Sequence, residues 1–385
     1  MKTLIELYDE RPMENILSSE VFLPERCIFL LSENEDPENA KQRINAYFRY
    51  RELPIRTRFY SLDMYNSQEI LNYLKTIVNR YEDCALDISG GTDAALFAAG
   101  LLCRDHDVPV FTYSRTSNCF YNIQNAVFAD KHKNPVQYSI EDFLKMAGGS
   151  MSQGRVDNRI LYRYMDLIDK FFDIYMTYRK KWVNIITWIQ CASRASHAED
   201  IPLEVSAERM LKTRSGVRTT VSIEALQAFE SIGMIGDLSW TDETVSFVFG
   251  DHQIRTWLRD IGSVLELYTY KCCLDTGVFS DVSVSVVVDW KEKSDVSNEI
   301  DVMAAKGVTP FFISCKTSDV RTEALNELAI LRSRFGGEMA RAAIVTTQYA
   351  NAAIRHRALE LKIDVIDLTL LEEKKLKESL ISLSL

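Results

Sequence analysis

The stretch Asn298-Glu299-Ile300-Asp301-Val302, followed at Phe311-Phe312-Ile313-Ser314-Cys315-Lys316, decides how the C-terminal part of this chain is read. Both segments are short and largely apolar, as strands are, and Gly307 lies between them where a tight turn is needed. Asp301 and Lys316 are 15 positions apart, room for a strand, a turn and an antiparallel strand that returns the lysine to the acid. A carboxylate binds Mg²⁺ or Mn²⁺ through oxygen, and the ion lowers the pKa of a bound water. A nearby ammonium then steadies that hydroxide or the charge that grows on a phosphorane. The plainer reading of the same two residues is a surface ion pair, which contributes little.

The neighbourhood favours the chemical reading. Val282 to Val288 reads Val-Ser-Val-Ser-Val-Val-Val, a strand separated from Asn298 by a polar turn, Lys291 to Ser297. Upstream, Trp257 to Tyr270 reads as a helix and sets Glu266 among apolar neighbours, where an acid needs a reason to be. A further helix is expected from Glu323 to Phe335. The series is α-β-β-β-α, and it converges Glu266, Asp301 and Lys316.

The N-terminal third carries a second signal. Cys84-Ala85-Leu86-Asp87-Ile88-Ser89-Gly90-Gly91-Thr92-Asp93 is an apolar strand that opens into a Gly-Gly-Thr turn, and Ala94 to Cys103 continues as a helix. Two glycines let a backbone approach a ligand, and the free N–H groups of a new helix favour anionic or polar groups. The alternative is a turn that merely tightens a strand-helix connection. Cys27 to Ser32, Ile55 to Tyr60 and Pro109 to Tyr113 read as strands, with helices at Asn39 to Arg51 and Ser67 to Tyr81. Ligands of such α/β sheets sit outside the carboxyl ends of the strands. Here those ends are Tyr8 to Arg11, Ser32 to Asn34, Ser89 to Asp93 and Ser114 to Thr116. The candidate ligand residues are therefore Asp9, Ser32, Ser89, Gly90, Gly91, Thr92, Asp93 and Ser114. A G-x-G-x-x-G fingerprint and a Walker A loop are both absent from the sequence.

Between these parts, Asp157 to His197 is helical in pattern, with Leu161, Met165, Ile168, Phe172, Tyr175, Trp182 and Ile189 recurring at three-to-four spacing. Such a stripe is first of all core, with packing against a second subunit as another use. Val221 to Ile232, Gly233-Met234-Ile235-Gly236 and Val245 to Phe249 read as a helix with a small hairpin, a winged-helix-like piece.

Composition bounds the function. A chain of 385 residues makes two or three domains. No apolar run approaches the ~18 residues of a membrane span, and Met1 to Glu6 is no signal peptide, so a cytoplasmic protein is expected. Eight cysteines without C-x-x-C spacing read as reduced core thiols, with Cys315 facing away from Lys316 into the core. Five scattered histidines form no cluster, and His252 and His356 read as ordinary residues. A net charge of −10 argues against a protein that coats duplex nucleic acid, yet Arg209, Lys212, Arg214 and Arg218, and Arg332, Arg334 and Arg341, are local basic groups. Such runs are either solvated faces or phosphate contacts.

At Glu266, Asp301 and Lys316 the chain resembles the restriction-endonuclease-like PD-(D/E)xK family. The position two before the lysine departs from that pattern: it is Ser314, a poorer metal ligand than a carboxylate, so Glu299 or Glu266 must supply the second acid. With Asp87-Ile88-Ser89-Gly90-Gly91-Thr92 first, and Gly262 to Glu266, Ser314 to Thr317 and Phe335-Gly336-Gly337 last, nearly the whole chain resembles the CARF nucleases of type III CRISPR systems. The resemblance implies an α/β protein with a Rossmann-like CARF sensor over 1–145, a helical and winged-helix-like connector over 146–250, and a nuclease domain over 251–385. It implies a homodimer that binds a cyclic oligoadenylate and then cuts DNA or RNA; the two-fold symmetry of the pair admits rings of four or six, and the resemblance implies the smaller, cyclic tetraadenylate. In that picture Lys316, Asp301, Glu266 and Glu299 are catalytic, and Asp301, Glu266 and Glu299 hold Mn²⁺ or Mg²⁺. Two other readings remain: a CARF-gated regulator with a decayed nuclease core, and a nuclease in which the Gly-Gly-Thr turn is only structural.

Overall fold

The computed structural model describes residues 1–9, 11–33, 36–81, 83–152, 156–194, 201–290, 298–336 and 340–385. Glu10, Asn34, the Lys291 to Ser297 turn, His197 and Gly337, which figure in the expectations above, lie outside the described residues.

The first five strands, Thr3–Leu7, Arg26–Ser32, Arg56–Leu62, Cys84–Asp87 and Val110–Ser114, form a parallel sheet in the order third, second, first, fourth, fifth. Thr3–Leu7 is buried along its whole length, as a central parallel strand covered on both faces must be. The crossover helices Pro37–Tyr50, Ser67–Arg80 and Asp93–Asp105 lie close to the spans expected, and each starts where a side chain caps it: Asp36, Asn66 and Thr92. Cys119–Gln124 and His132–Lys133 extend the sheet antiparallel. Strand order reverses between Thr3–Leu7 and Cys84–Asp87, so the crevice beyond their carboxyl ends falls at Asp9 and at Ser89 to Thr92.

The helical stretch after Asp157 is broken rather than continuous. Asn158–Tyr164 and Arg179–Lys181 are 3₁₀ turns that bracket the α-helix Met165–Tyr178, and Trp182–Ala192 follows. The aromatic stripe is core: Phe171, Phe172, Tyr175, Trp182 and Trp188 are buried. The winged-helix-like piece comprises the helix Ile223–Ser231 and the hairpin Ile235–Trp240 with Thr244–Phe249. A third strand, Glu204–Glu208, and a separate hairpin, Met210–Lys212 with Arg218–Thr220, were not anticipated.

The C-terminal sheet runs Asp364–Ile366, Arg341–Thr346, Thr309–Lys316, Asn298–Lys306, Asp281–Trp290, Gly149–Ser152. Gly149–Ser152 falls in the stretch expected to be connector, yet it pairs antiparallel with Asp281–Trp290. The helix expected over 257–270 is two helices, His252–Trp257 and Ser263–Thr276. Asp260 separates them: its Oδ2 accepts the N–H groups of Gly262 (3.1 Å) and Ser263 (2.7 Å) and restarts the helix. Ser263–Thr276 is buried on nearly every side because it threads between sheet and connector. Thr322–Gly336 covers the other face. Gly307 turns the central hairpin with φ +59°, a left-handed conformation that favours glycine. Among the described residues no helix is long and apolar enough to cross a membrane.

Candidate active site

Asp301 sits at a fault in the sheet. Val284 and Val302 point into the core shared with Ser263–Thr276, whereas Val286 and Ile300 point into the opposite core. Unbroken strands keep residues two apart on one face, so alternation fails at Ser285 and Asp301. Ser285 carries the strain, with φ +53°. The ladder between Asn298–Lys306 and Thr309–Lys316 ends at the pair Val302 with Ile313, and there the Asp301 carboxylate enters between the strands. Its Oδ2 accepts the backbone N–H of Cys315 (2.7 Å), the hydroxyl of Ser314 (3.0 Å) and the ammonium of Lys316 (3.2 Å). Among the described residues no donor reaches Oδ1.

Lys316 is held in its charged form. Burial works against the ammonium, but Asp301, by its charge and its hydrogen bond, outweighs burial, with smaller help from Cys315 and Glu266, and raises the pKa above the ordinary lysine range. Glu266 is 5% exposed, and its charge is felt at both Lys316 and Cys315. One turn on, Thr269 meets the Cys315 thiol at 3.6 Å, which docks the helix on the strand. Cys315 faces the core as expected, and burial, then Asp301, pushes its thiol well up. A Cβ at Gly262 would stand 2.9 Å from Glu266 Oε1, so the chain passes closely over that carboxylate. All eight cysteines are free.

Glu299 does not complete a three-acid set. It is exposed, and its Oε1 accepts the Ser285 hydroxyl at 2.7 Å. Among the described residues no three His, Cys, Asp or Glu side chains are grouped as an all-protein metal cage would have them, whereas Mg²⁺ is commonly held by one or two carboxylates with water and phosphate oxygens. Ser314 is therefore a second-strand hydroxyl that orients Asp301, and the acids near the lysine are Asp301 and Glu266.

At the N-terminal crevice the expected residues come together, and several are already hydrogen-bonded within the protein. Asp9 Oδ2 accepts the Gly91 N–H (3.3 Å), and its carboxylate takes a two-pronged bond from Arg11 (2.7 and 2.6 Å). Burial opposes the Asp9 carboxylate, but the Arg11 bonds prevail and lower its pKa. Ser89 donates to Asp87 (2.5 Å) and accepts the N–H of Tyr113 (2.8 Å). Thr92 caps its helix through Ala95 and donates to the Met64 carbonyl (2.5 Å). Asp93 is exposed in the first turn, Ser114 half-buried, and Ser32 buried at its strand end. Gly91 has φ +98°, and a Cβ there would meet Leu7 Cβ at 2.7 Å. The glycine is thus required by the turn's own packing and not only by a ligand's approach.

Sequence reasoning missed a buried acid pair directly beneath this crevice. Glu6 and Asp87 are register partners on adjacent strands, 2% and 1% exposed. Asp87 accepts from Ser18 and Ser89, while Glu6 Oε1 is buried with no hydrogen-bond partner among the described residues. Burial raises Asp87 to about 6, the serine hydrogen bonds holding it down from higher; burial, then the charge of Asp87, raises Glu6 well above the usual carboxylate range. The signal was present as single acids inside Leu4-Ile5-Glu6-Leu7 and Ala85-Leu86-Asp87-Ile88.

Residues 254–383 match the family model described as Card1-like, endonuclease domain. No curated protein sequence matches the chain. The fold is that of the Vibrio cholerae protein VC1899 (TM-score 0.73, 18% identity, 99% of this chain and 97% of that one). It is equally that of Can2 from Sulfobacillus thermosulfidooxidans, solved in complex with cyclic tetra-adenylate (TM-score 0.71, 17% identity, 99% and 98%). A type III CRISPR defence DNA nuclease activated by cyclic oligoadenylate covers less of its own length (TM-score 0.54, 13% identity, 91% of this chain and 46% of that one).

Proposed function

We propose that this chain, whose C-terminal part is a Card1-like endonuclease domain, is a nucleic-acid-cutting effector of type III CRISPR defence that a cyclic oligoadenylate switches on in the cytoplasm. The observation that carries the proposal is the Asp301–Lys316 pair at 3.2 Å, built into a sheet fault beside buried Glu266. Asp301 Oδ1 and the Glu266 carboxylate are hard oxygen donors, which suit Mn²⁺ or Mg²⁺. An ion bound there supplies Lewis acidity and a water of lowered pKa. The chain's own residues do the rest. Ser314 and the Cys315 N–H fix the Asp301 carboxylate through Oδ2 and leave Oδ1 free to face the substrate. Lys316, kept charged, meets the negative charge that grows on the phosphorane oxygens. Glu299 is kept as an outer acid, held by Ser285.

The sensor is the crevice between Asp9 and the Gly90-Gly91-Thr92 turn. Tyr65, Leu96 and Phe97 expose 75%, 38% and 61% of their surface beside that turn, apolar area that supports pairing of two copies there. A ring lying on the two-fold axis of such a homodimer touches both turns, which supports cyclic tetraadenylate as activator. The chain with plasmid, single-stranded DNA and RNA, with and without cyclic oligoadenylates, in Mn²⁺ and in EDTA, is the test. Cleavage that needs both ring and ion is expected. Ring binding with no cleavage of any substrate would leave the ring-gated regulator, the reading that Ser314 favours.

A further inference from the structure

The connector and the start of the endonuclease segment enclose a cavity of about 520 Å³ whose wall carries Arg194, Arg214, Arg255, Arg259 and Asp260. In a chain of net charge −10 this is a strong local excess of positive charge. Among the described residues the one carboxylate on this wall is already engaged, since Asp260 Oδ2 accepts the Gly262 N–H, the Ser263 N–H and the Ser263 hydroxyl. The guanidiniums that are bonded have neutral partners: Arg255 donates to the Ile201 carbonyl, and Arg194 to the Lys212 carbonyl at 2.9 Å. Among the described residues none of the four forms an ion pair. Arg259 is the least satisfied, its Nε buried with no hydrogen-bond partner among the described residues. Burial and the neighbouring charge of Arg255 lower its pKa. Like charges gathered and partly desolvated in this way call for an anion that offers several oxygens at once, and a guanidinium meets a phosphodiester through two parallel bonds.

The position of the cavity says which phosphodiester. Arg259 and Asp260 lead directly into Gly262, whose Cβ position lies 2.9 Å from Glu266 Oε1. Cavity wall and buried acid therefore share one short stretch of chain, locked by Gln190 Nε2 donating to the Arg259 carbonyl at 2.7 Å. We propose that this cavity grips a backbone phosphate of the nucleic-acid strand next to the one being cut, and so feeds the strand to Asp301 and Lys316. The inference rests on the endonuclease reading above and adds a substrate-positioning site to it.

Its test measures binding apart from cleavage. Full-length protein carrying Asp301→Ala, with activator and in EDTA, is titrated with a fluorescent single-stranded oligonucleotide over a range of salt. Arg214→Ala and the pair Arg255→Gln with Arg259→Gln should each weaken binding roughly tenfold. They should also flatten the slope of log K against log salt by about 0.7 for each phosphate no longer held. With Asp301 restored, the same variants should raise KM and leave kcat near wild type, while ring binding and thermal melting stay unchanged. Unchanged affinity and slope in both variants, with wild type still cutting, would overturn the inference and leave the endonuclease standing. Wild type inert with every ring and ion would fail the endonuclease reading instead, while the salt slope still reports on the cavity.

Discussion

At the scale of the residue, Asp301 has two oxygens with different duties. Oδ2 is saturated by Ser314, Cys315 and Lys316, so the carboxylate cannot rotate without breaking three bonds. Asp301→Ala or Lys316→Ala should therefore lower cleavage by ~10²-fold or more, the usual loss when a metal-holding or charge-stabilising group is removed. Calorimetry should show ring binding unchanged in both, and retained cleavage in both would remove them from the site. Ser314→Ala deletes one of three donors to a carboxylate that keeps the other two, so it should cost only several-fold. Glu266→Gln keeps the shape that packs under Gly262 and removes the charge. Its activity should fall and recover in part as Mn²⁺ is raised, a response that a purely structural Glu266 would not give.

At the scale of the element, the turn and the strands beneath it behave as one unit. Gly91 is left-handed and touches Leu7, so Gly91→Val should lower the melting temperature by several degrees and weaken ring binding with it. A variant that melts like wild type yet binds the ring poorly would return Gly91 to a purely ligand-facing role. The buried pair below makes a prediction of opposite sign. Glu6 has a native pKa well above its unfolded value near ~4.3, so the native state holds the proton that the unfolded chain loses, and stability falls as pH rises beyond that value. Glu6→Gln mimics the protonated acid. Its stability relative to wild type should therefore grow with pH, by up to about 1.4 kcal/mol per unit, in denaturant melts at pH 5, 6, 7 and 8; a constant difference would mean that Glu6 is not a buried neutral acid. The strands and helices of the sensor were legible because apolar runs, caps and glycines there agree. The site was legible as far as Asp301, Lys316 and Glu266. That Glu299 would be held by Ser285 was not legible, because period-two alternation cannot foresee the fault at Ser285, where both strands change face. Gly149–Ser152 was missed because four residues with two serines carry no strand signal until Asp281–Trp290 offers them an edge.

At the scale of the molecule, the crevice and the active site are joined by a continuous set of contacts. Gly91 donates to Asp9, Asp9 holds Arg11, and Arg11 lies 4.0 Å from buried Glu14, which is also ion-paired with Arg115. Arg11, Glu14 and Arg115 line a narrow cleft with Val308, Pro310 and Phe335. The hairpin turn at Gly307 is held to the sensor's exit by the Tyr138 N–H at 2.8 Å, and its two strands carry Asp301 and Lys316. Contact alone is not coupling; coupling requires that the ring favour one arrangement of these parts over another. In the proposed homodimer, two-fold symmetry first limits what the ring can be: rings of four or six adenylates match a pair of identical turns, and a ring of three does not. Calorimetry with linear, three-, four- and six-membered adenylates should give tightest binding for the four-membered ring at one ring per two chains. One ring per chain, or preference for three, would break the symmetry argument. Glu14→Gln then separates binding from transmission. It leaves the crevice's Asp9–Gly91 contact and the Asp301–Lys316 pair in place, so ring affinity and the cleavage rate without ring should match wild type, while stimulation by the ring should drop roughly threefold to thirtyfold. Full stimulation in that variant would show that the signal reaches Lys316 by a route that bypasses the Arg11–Glu14–Arg115 contacts.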